Sequence, residues 1–220
     1  MELKGKKIAF LGDSITEGYG ASCLENTYWK TLGRMTGAEV YGYGIGGTRI
    51  AVQQIPTPEP NRHKDQYFAS RVDSMIPDAD VVVIFGGTND FGDGDAAMGT
   101  MSDRRADTFY GGYHLLIEKL YQRYPNAQII IMTPLHRMSE DETYYNELGI
   151  RRMGSLAAYA DAIKEVAGYY GIPVWDAFRC SGMQPRLEAL REKYMPDGLH
   201  PNDAGHALMA QRLYAFINAL

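Results

Sequence analysis

Ser14 is the first residue whose setting suggests chemistry, because it lies in the segment Gly12–Thr16 directly after a short apolar run. A serine at a strand-to-helix turn projects its hydroxyl above the sheet and can offer its own N–H to a developing oxyanion. Near the other end of the chain, Asp197 precedes His200 by three residues. A carboxylate so placed can hold one imidazole nitrogen and leave the other as a general base. The plainer interpretation of Ser14 or Thr16 is a helix cap.

Two more polar segments follow apolar runs, at Gly42–Thr48 and Gly86–Asp90. The first matches the GxGxxG fingerprint of dinucleotide sites, but that fingerprint requires a helix directly after the glycines. Prolines at 56, 58 and 60 leave little room for one. Such glycines can instead leave a bare backbone N–H facing a ligand. In the second segment, the Asn89 amide could donate to an oxyanion or simply close an Asx turn.

A metal site is the competing interpretation of the C-terminal segment. Asp197, His200, Asp203 and His206 recur at intervals of three residues. We expect the first two to lie in a loop and the last two in the closing helix, and no cysteine or glutamate completes a familiar ligand spacing. We therefore predict no metal and a structural role for His206.

Alternating apolar runs and helical patterns organise the chain. Strands are predicted at 8–11, 40–41, 81–85, 129–132 and 172–175, and helices at 27–36, 108–123, 150–169 and 203–219. Apolar strands separated by helices predict an α/β fold with a five-stranded parallel sheet covered on both faces. Pro173 predicts that the last strand lies near an edge. With no linker or repeat, residues 1–220 are expected to form a single domain.

Two segments, 53–63 and 91–105, fit neither a helix nor a strand. Both follow predicted strands, so both are expected to overhang the carboxyl edge of the sheet, where ligands bind in such folds. For 91–105, a lid and an ordinary solvated loop both remain open.

Composition excludes several classes of protein. Hydrophobic residues make up 45% and charged residues 22% of the 220, which is typical of a globular chain. A net charge of −5 without a basic stripe argues against nucleic acid and against a polybasic membrane anchor. Cys23 and Cys180 fit no ligand spacing, and no apolar run matches a signal peptide or a membrane span. We expect a cytoplasmic location.

Taken together, the four segments resemble the SGNH (GDSL) hydrolase superfamily, in the family's order from residue 12 to residue 202. The resemblance implies Ser14 as the nucleophile, with His200 as base and Asp197 as its orienting carboxylate. It implies an oxyanion hole formed by Ser14, Gly47 and Asn89. It also implies a flavodoxin-like three-layer sandwich. One position departs from the family pattern, since many members carry Asn where this chain has Gly42.

The resemblance implies a serine esterase that needs no cofactor. The loops after the strands are polar and rich in arginine and tyrosine, which favours short-chain acyl esters, O-acetyl groups on a carbohydrate in particular. We expect substrate contacts from Asp13, Arg49, Asp90 and His136. The alternative hypothesis is an acyltransferase, a lysophospholipase or a thioesterase that uses the same site. A third hypothesis is a non-enzymatic, flavodoxin-like binding module. A homo-oligomer remains open.

Overall fold

The computed structural model describes residues 1–141 and 154–220. Within these residues the strands form a five-stranded parallel sheet in the order β2-β1-β3-β4-β5. The strands are β1 (Lys7–Gly12), β2 (Glu39–Gly44), β3 (Val81–Phe85), β4 (Gln128–Met132) and β5 (Val174–Trp175). The predicted α/β class and parallel sheet are confirmed, and β5 is the edge strand that Pro173 predicted.

The helices connect these strands and cover both faces of the sheet. They are α1 (Ser14–Glu17), α2 (Tyr28–Thr36), α3 (Phe68–Arg71), α4 (Thr88–Gly92), α5 (Phe109–Arg123), α6 (Leu156–Tyr169), α7 (Ala177–Cys180), α8 (Glu188–Tyr194) and α9 (Asp203–Asn218). Short 3₁₀ turns lie at Leu24–Asn26, Asn61–Asp65 and Val72–Ser74.

Alternation along the strands divides the core between two faces. In β1, Ala9 and Leu11 pack with α3, α5 and α6, while Ile8 and Phe10 pack with α2 and α9. All four side chains are buried. A strand buried on both faces must be apolar throughout, which explains the continuous apolar runs of the sequence. The result is the three-layer arrangement of a flavodoxin-like fold.

The helix predicted at 150–169 is shorter in the described residues, and the segment 91–105 packs against the core. The helix predicted at 150–169 begins at Leu156, where the Ser155 hydroxyl accepts from the Ala158 N–H, and residues 150–153 lie outside the described part of the chain. The segment 91–105 is packed onto the molecule, since Met98 and Met101 contact the core. The carboxylate of Asp95 also accepts two backbone N–H groups from the segment 53–63.

The strand order fixes where the candidate residues meet. Because β1 lies between β2 and β3, the segment after β1 is flanked by the segments after β2 and β3. The crevice beside β1 is the topological switch point at which such sheets bind ligands. No helix within residues 1–141 and 154–220 is both long and apolar enough to cross a membrane.

Candidate active site

Ser14 lies at the turn from β1 into α1. The Asp13 carboxylate accepts the Ile15 N–H at 3.1 Å and caps the helix, so Asp13, rather than Ser14 or Thr16, is the cap. The Ser14 hydroxyl therefore remains available for another partner. Its side chain is largely buried but opens onto a cavity of about 490 Å³.

The partner of Ser14 is His200. Ser14 Oγ lies 3.0 Å from His200 Nε2, and His200 Nδ1 lies 2.6 Å from Asp197 Oδ2. A carboxylate can only accept, so Nδ1 carries the proton and Nε2 of the neutral ring is free to accept from the serine hydroxyl. The three predicted residues are therefore joined in one hydrogen-bonded chain.

Asp197 is fixed by its own turn. Its Oδ1 accepts from the N–H groups of Leu199 and His200 at 2.9 and 2.7 Å. Partial burial raises the pKa of this carboxyl, but the hydrogen bonds from His200 and Leu199 outweigh it and the pKa is lowered overall. Asp197 therefore stays ionised at neutral pH and keeps the imidazole oriented.

Gly47 and Asn89 flank Ser14 on the cavity wall. Gly47 has a φ of 73°, a backbone conformation that favours glycine, and its N–H has no acceptor among the described residues. The Asn89 amide donates one hydrogen to the Thr48 carbonyl at 3.0 Å, which leaves its second hydrogen available. The Ser14 N–H lies in the first helical turn, where backbone donors have no partner within the helix. The residues that carry these three donors line the same cavity.

The cavity is lined mainly by polar groups. The lining residues are Ser14, Glu17, Tyr19, Gly46, Gly47, Asn61, His63, Lys64, Asn89, Asp93, Leu199 and His200. Sequence reasoning did not assign Glu17, Tyr19 or Lys64 to the site, although it expected the segment 53–63, which contributes Asn61 and His63, at this edge of the sheet. They carry no motif: Glu17 and Tyr19 follow Ser14 by three and five residues, and the fold brings Lys64 to the same cavity.

The predicted substrate contacts of Asp13 and Asp90 need correction, because both carboxylates serve the backbone. Asp90 accepts the N–H groups of Ile50 and Ala51, and Asp13 caps α1. Both are buried, and neither lines the cavity. Burial raises the pKa of Asp13 to about 7 and that of Asp90 to about 6.

Arg49 and His136 also lie outside the cavity lining. The Arg49 side chain is buried and donates to the Asp93 carbonyl at 3.4 Å. His136 Nδ1 lies 2.7 Å from the Glu140 carboxylate, and its ring packs on Phe178 at 4.1 Å between centroids. These contacts replace the substrate-binding roles that the sequence suggested.

Asp203 and His206 do not join Asp197 and His200. The Asp203 carboxylate accepts from Ser22, and His206 Nδ1 accepts the Tyr28 N–H at 3.2 Å. The buried His206 ring is stacked parallel to Tyr28, and burial lowers its pKa to about 4. The second pair therefore anchors the 22–28 segment on α9.

Gly42 is the position that departs from the family pattern, and the side chain of Trp29 occupies the space beside it. A Cβ there would lie 2.4 Å from the ring of Trp29, so the indole occupies the space of a side chain. Trp29 Nε1 also donates to the Thr16 carbonyl at 2.9 Å. An aromatic donor from α2 thus contacts the segment after β1 at this place.

A sequence model of the GDSL-like lipase/acylhydrolase family matches residues 10–208. This chain belongs to that family. The membership confirms the SGNH resemblance and makes the protein, in general terms, an ester-hydrolysing enzyme of the GDSL type. A comparison with curated protein sequences gives no significant match.

Solved structures share the fold over the whole chain. A structure from Lactobacillus plantarum is 29% identical, with a TM-score of 0.80, and the match covers 99% of this chain and 98% of that one. A possible lipase from Chitinophaga pinensis is 21% identical, with a TM-score of 0.68 and coverage of 97% and 98%. A salicylyl-acyltransferase from a tetracycline biosynthetic pathway is 20% identical, with a TM-score of 0.68, and covers 98% of this chain and 55% of its own.

Proposed function

We propose that this protein is a serine esterase that removes short acyl groups through an acyl-enzyme on Ser14, with O-acetyl groups of carbohydrates as its substrates. The observation that carries the proposal is the chain Ser14–His200–Asp197, with distances of 3.0 and 2.6 Å, which opens into the cavity beside Gly47 and Asn89. Nucleophile, base and orienting carboxylate in hydrogen-bond reach are the geometry that acyl transfer requires.

Acylation begins when Ser14 Oγ attacks the ester carbonyl and His200 Nε2 takes the hydroxyl proton. The carbonyl oxygen becomes an oxyanion, which the N–H groups of Ser14 and Gly47 and the Asn89 amide stabilise. His200 then gives the proton to the leaving alcohol as the carbon–oxygen bond breaks. Asp197 stabilises the imidazolium that forms between these two transfers.

Deacylation repeats these steps with water. His200 takes a proton from the water as its oxygen attacks the acyl carbon, and the oxyanion forms at the same donors. Collapse of the intermediate releases the carboxylic acid, and the proton on His200 returns to Ser14 Oγ.

The cavity lining supports a short acyl group and a neutral substrate. Leu199 is the single aliphatic side chain among the lining residues within the described part of the chain, whereas a long acyl chain requires an apolar channel. The charged side chains there are Lys64, Glu17 and Asp93, which present both signs. An ester with a small acyl group and a hydroxyl-rich alcohol matches this lining.

Turnover of p-nitrophenyl esters of increasing acyl length, beside the Ser14→Ala variant, tests the proposal. We expect acetate to be the best substrate, activity to fall with chain length, and all turnover to vanish in the variant. A preference for octanoate would contradict the short-chain assignment. Turnover that survives in Ser14→Ala would contradict the nucleophile.

Product analysis with a competing sugar alcohol separates hydrolysis from acyl transfer. We expect acetate to be the main product, because His200 and Asp197 are partly solvent-exposed and water has access to the site. Predominant formation of the acetylated sugar would assign the chain as an acyltransferase on the same residues.

A further inference from the structure

Tyr19 is an exposed aromatic residue beside the candidate base. Its side chain is 64% exposed, it lines the cavity, and its ring centroid lies 4.9 Å from that of His200 at an angle of 45°. Neither the proposed proton transfers nor the oxyanion donors use it.

The backbone fixes Tyr19 relative to both reacting side chains. Its N–H donates to the Ser14 carbonyl at 2.9 Å, directly after Gly18, whose φ is 110°. On the other side, Gly20 has a φ of 87°, and a Cβ there would lie 2.3 Å from the Pro201 carbonyl oxygen. The turn that carries Tyr19 is therefore held on one side by the nucleophile's residue and on the other by the residue after His200.

The chemistry of acylation places the leaving alcohol next to this ring. His200 Nε2 must reach the alcohol oxygen to protonate it, so the alcohol half of the ester lies beside the imidazole against which Tyr19 packs. Asn61 and His63, whose side chains can form hydrogen bonds, line the same cavity. An exposed aromatic ring and hydrogen-bonding side chains in one cavity suit a ligand ring with apolar C–H faces and a rim of hydroxyls.

We propose that Tyr19 is the specificity-determining contact for the alcohol half of the ester, and that it packs against the face of a sugar ring. This inference rests on the proposed esterase function. The competing role for Tyr19 is positioning of His200 alone. We call the contact between the Tyr19 ring and the sugar face the platform. The two roles differ in their dependence on the leaving group. Positioning of the base affects every ester equally, whereas the platform affects only esters whose alcohol is large enough to reach Tyr19.

The test compares two acetate esters that yield the same acyl-enzyme, ethyl acetate and a monoacetylated methyl pyranoside. The variants are Tyr19→Phe, Tyr19→Leu and Tyr19→Ala. Tyr169→Ala serves as the matched control, since Tyr169 is 65% exposed and does not line the cavity. The readouts are kcat/KM for both esters and the pH profile of kcat/KM for ethyl acetate.

We expect Tyr19→Ala to lower kcat/KM for the acetylated pyranoside by about tenfold, with ethyl acetate changed less than about twofold. Tyr19→Phe keeps the aromatic face and should retain most pyranoside activity, Tyr19→Leu should lose it, and Tyr169→Ala should match the wild type.

Equal losses on both esters, or a shifted pH profile with ethyl acetate, would overturn the platform and assign Tyr19 to positioning of His200. Wild-type activity on ethyl acetate without preference for the pyranoside would also overturn it, while leaving the esterase standing. If the wild type shows no Ser14-dependent turnover of either ester, the esterase itself fails and the platform with it.

Discussion

The Asn89 side-chain amide donates to the Thr48 backbone carbonyl at 3.0 Å. Thr48 directly follows Gly47, so this bond links the candidate oxyanion donor after β3 to the one after β2. The neighbouring Asp90 strengthens the link, since its carboxylate accepts the N–H groups of Ile50 and Ala51 from the same loop. The relative position of the two donors is therefore set by contacts between adjacent strand ends.

Asn89→Ala removes one oxyanion donor. We expect kcat to fall by about 100- to 1000-fold with little change in KM, because the interaction strengthens as the oxyanion forms. Steady-state kinetics with p-nitrophenyl acetate provide the measurement. Thermal unfolding is the control, since the buried Thr48 carbonyl loses its donor and this should cost about 1–3 kcal/mol. An unchanged kcat would remove Asn89 from the reaction.

Asp197→Asn leaves the size of the side chain unchanged but removes its charge. The amide favours the wrong imidazole tautomer and no longer stabilises the imidazolium, so we expect kcat to fall by about 10⁴. Activity across pH 6–9 with p-nitrophenyl acetate measures the loss. Asp203→Asn is the matched control, because Asp203 bonds to Ser22 and does not reach His200. Similar activity in the two variants would contradict the assignment.

Arg71 holds the strand ends beneath the site. Its guanidinium donates to the carbonyls of Tyr43 and Gly12 at 2.9 and 3.0 Å and to the Thr48 hydroxyl at 3.1 Å. Arg71→Met leaves these buried acceptors without a donor, and we expect it to destabilise the fold by about 3 kcal/mol. Urea unfolding measures this loss.

Arg62→Met is the control for Arg71, since the exposed Arg62 pairs with Glu59 at 3.7 Å and should contribute less than about 1 kcal/mol. Equal stability of Arg71→Met and Arg62→Met would show that the buried guanidinium does not hold these strand ends.

Asp13 makes stability depend on pH. Burial raises its pKa from 3.8 to about 7, so between these values the folded state binds the proton that the unfolded state has lost. Proton binding by Asp13 therefore stabilises the folded state fully below pH 3.8, and this stabilisation is lost as the pH rises through 7. Asp13→Asn keeps an oxygen for the Ile15 N–H but cannot ionise. We expect its Tm relative to wild type to rise between pH 5 and pH 8; a constant difference would contradict the raised pKa.

The positions of the main elements could be predicted from the sequence for a physical reason. A parallel strand buried on both faces must be apolar throughout, and Val81–Phe85 has this signature. The candidate residues after the strands were predictable because carboxyl ends of parallel strands share one edge. Asp197 and His200 were predictable because their spacing of three suits a single turn.

The substrate contacts could not be predicted in this way. Asp90, a charged residue near a strand end, was expected to bind substrate, but the buried backbone N–H groups of Ile50 and Ala51 take up its carboxylate. Tyr19 and Lys64 line the cavity through the conformation of their turns. Such placement depends on long-range packing, which no local pattern records.

The most direct test of the account is the intact mass of the protein after treatment with a fluorophosphonate probe. We predict one equivalent of label on the wild type and on Ser70→Ala, an exposed serine outside the cavity, and no label on Ser14→Ala. The probe requires a serine activated by a neighbouring base, so His200→Ala should lose most of the labelling as well. Labelling of Ser14→Ala at the wild-type level would contradict the central claim that Ser14 is the nucleophile.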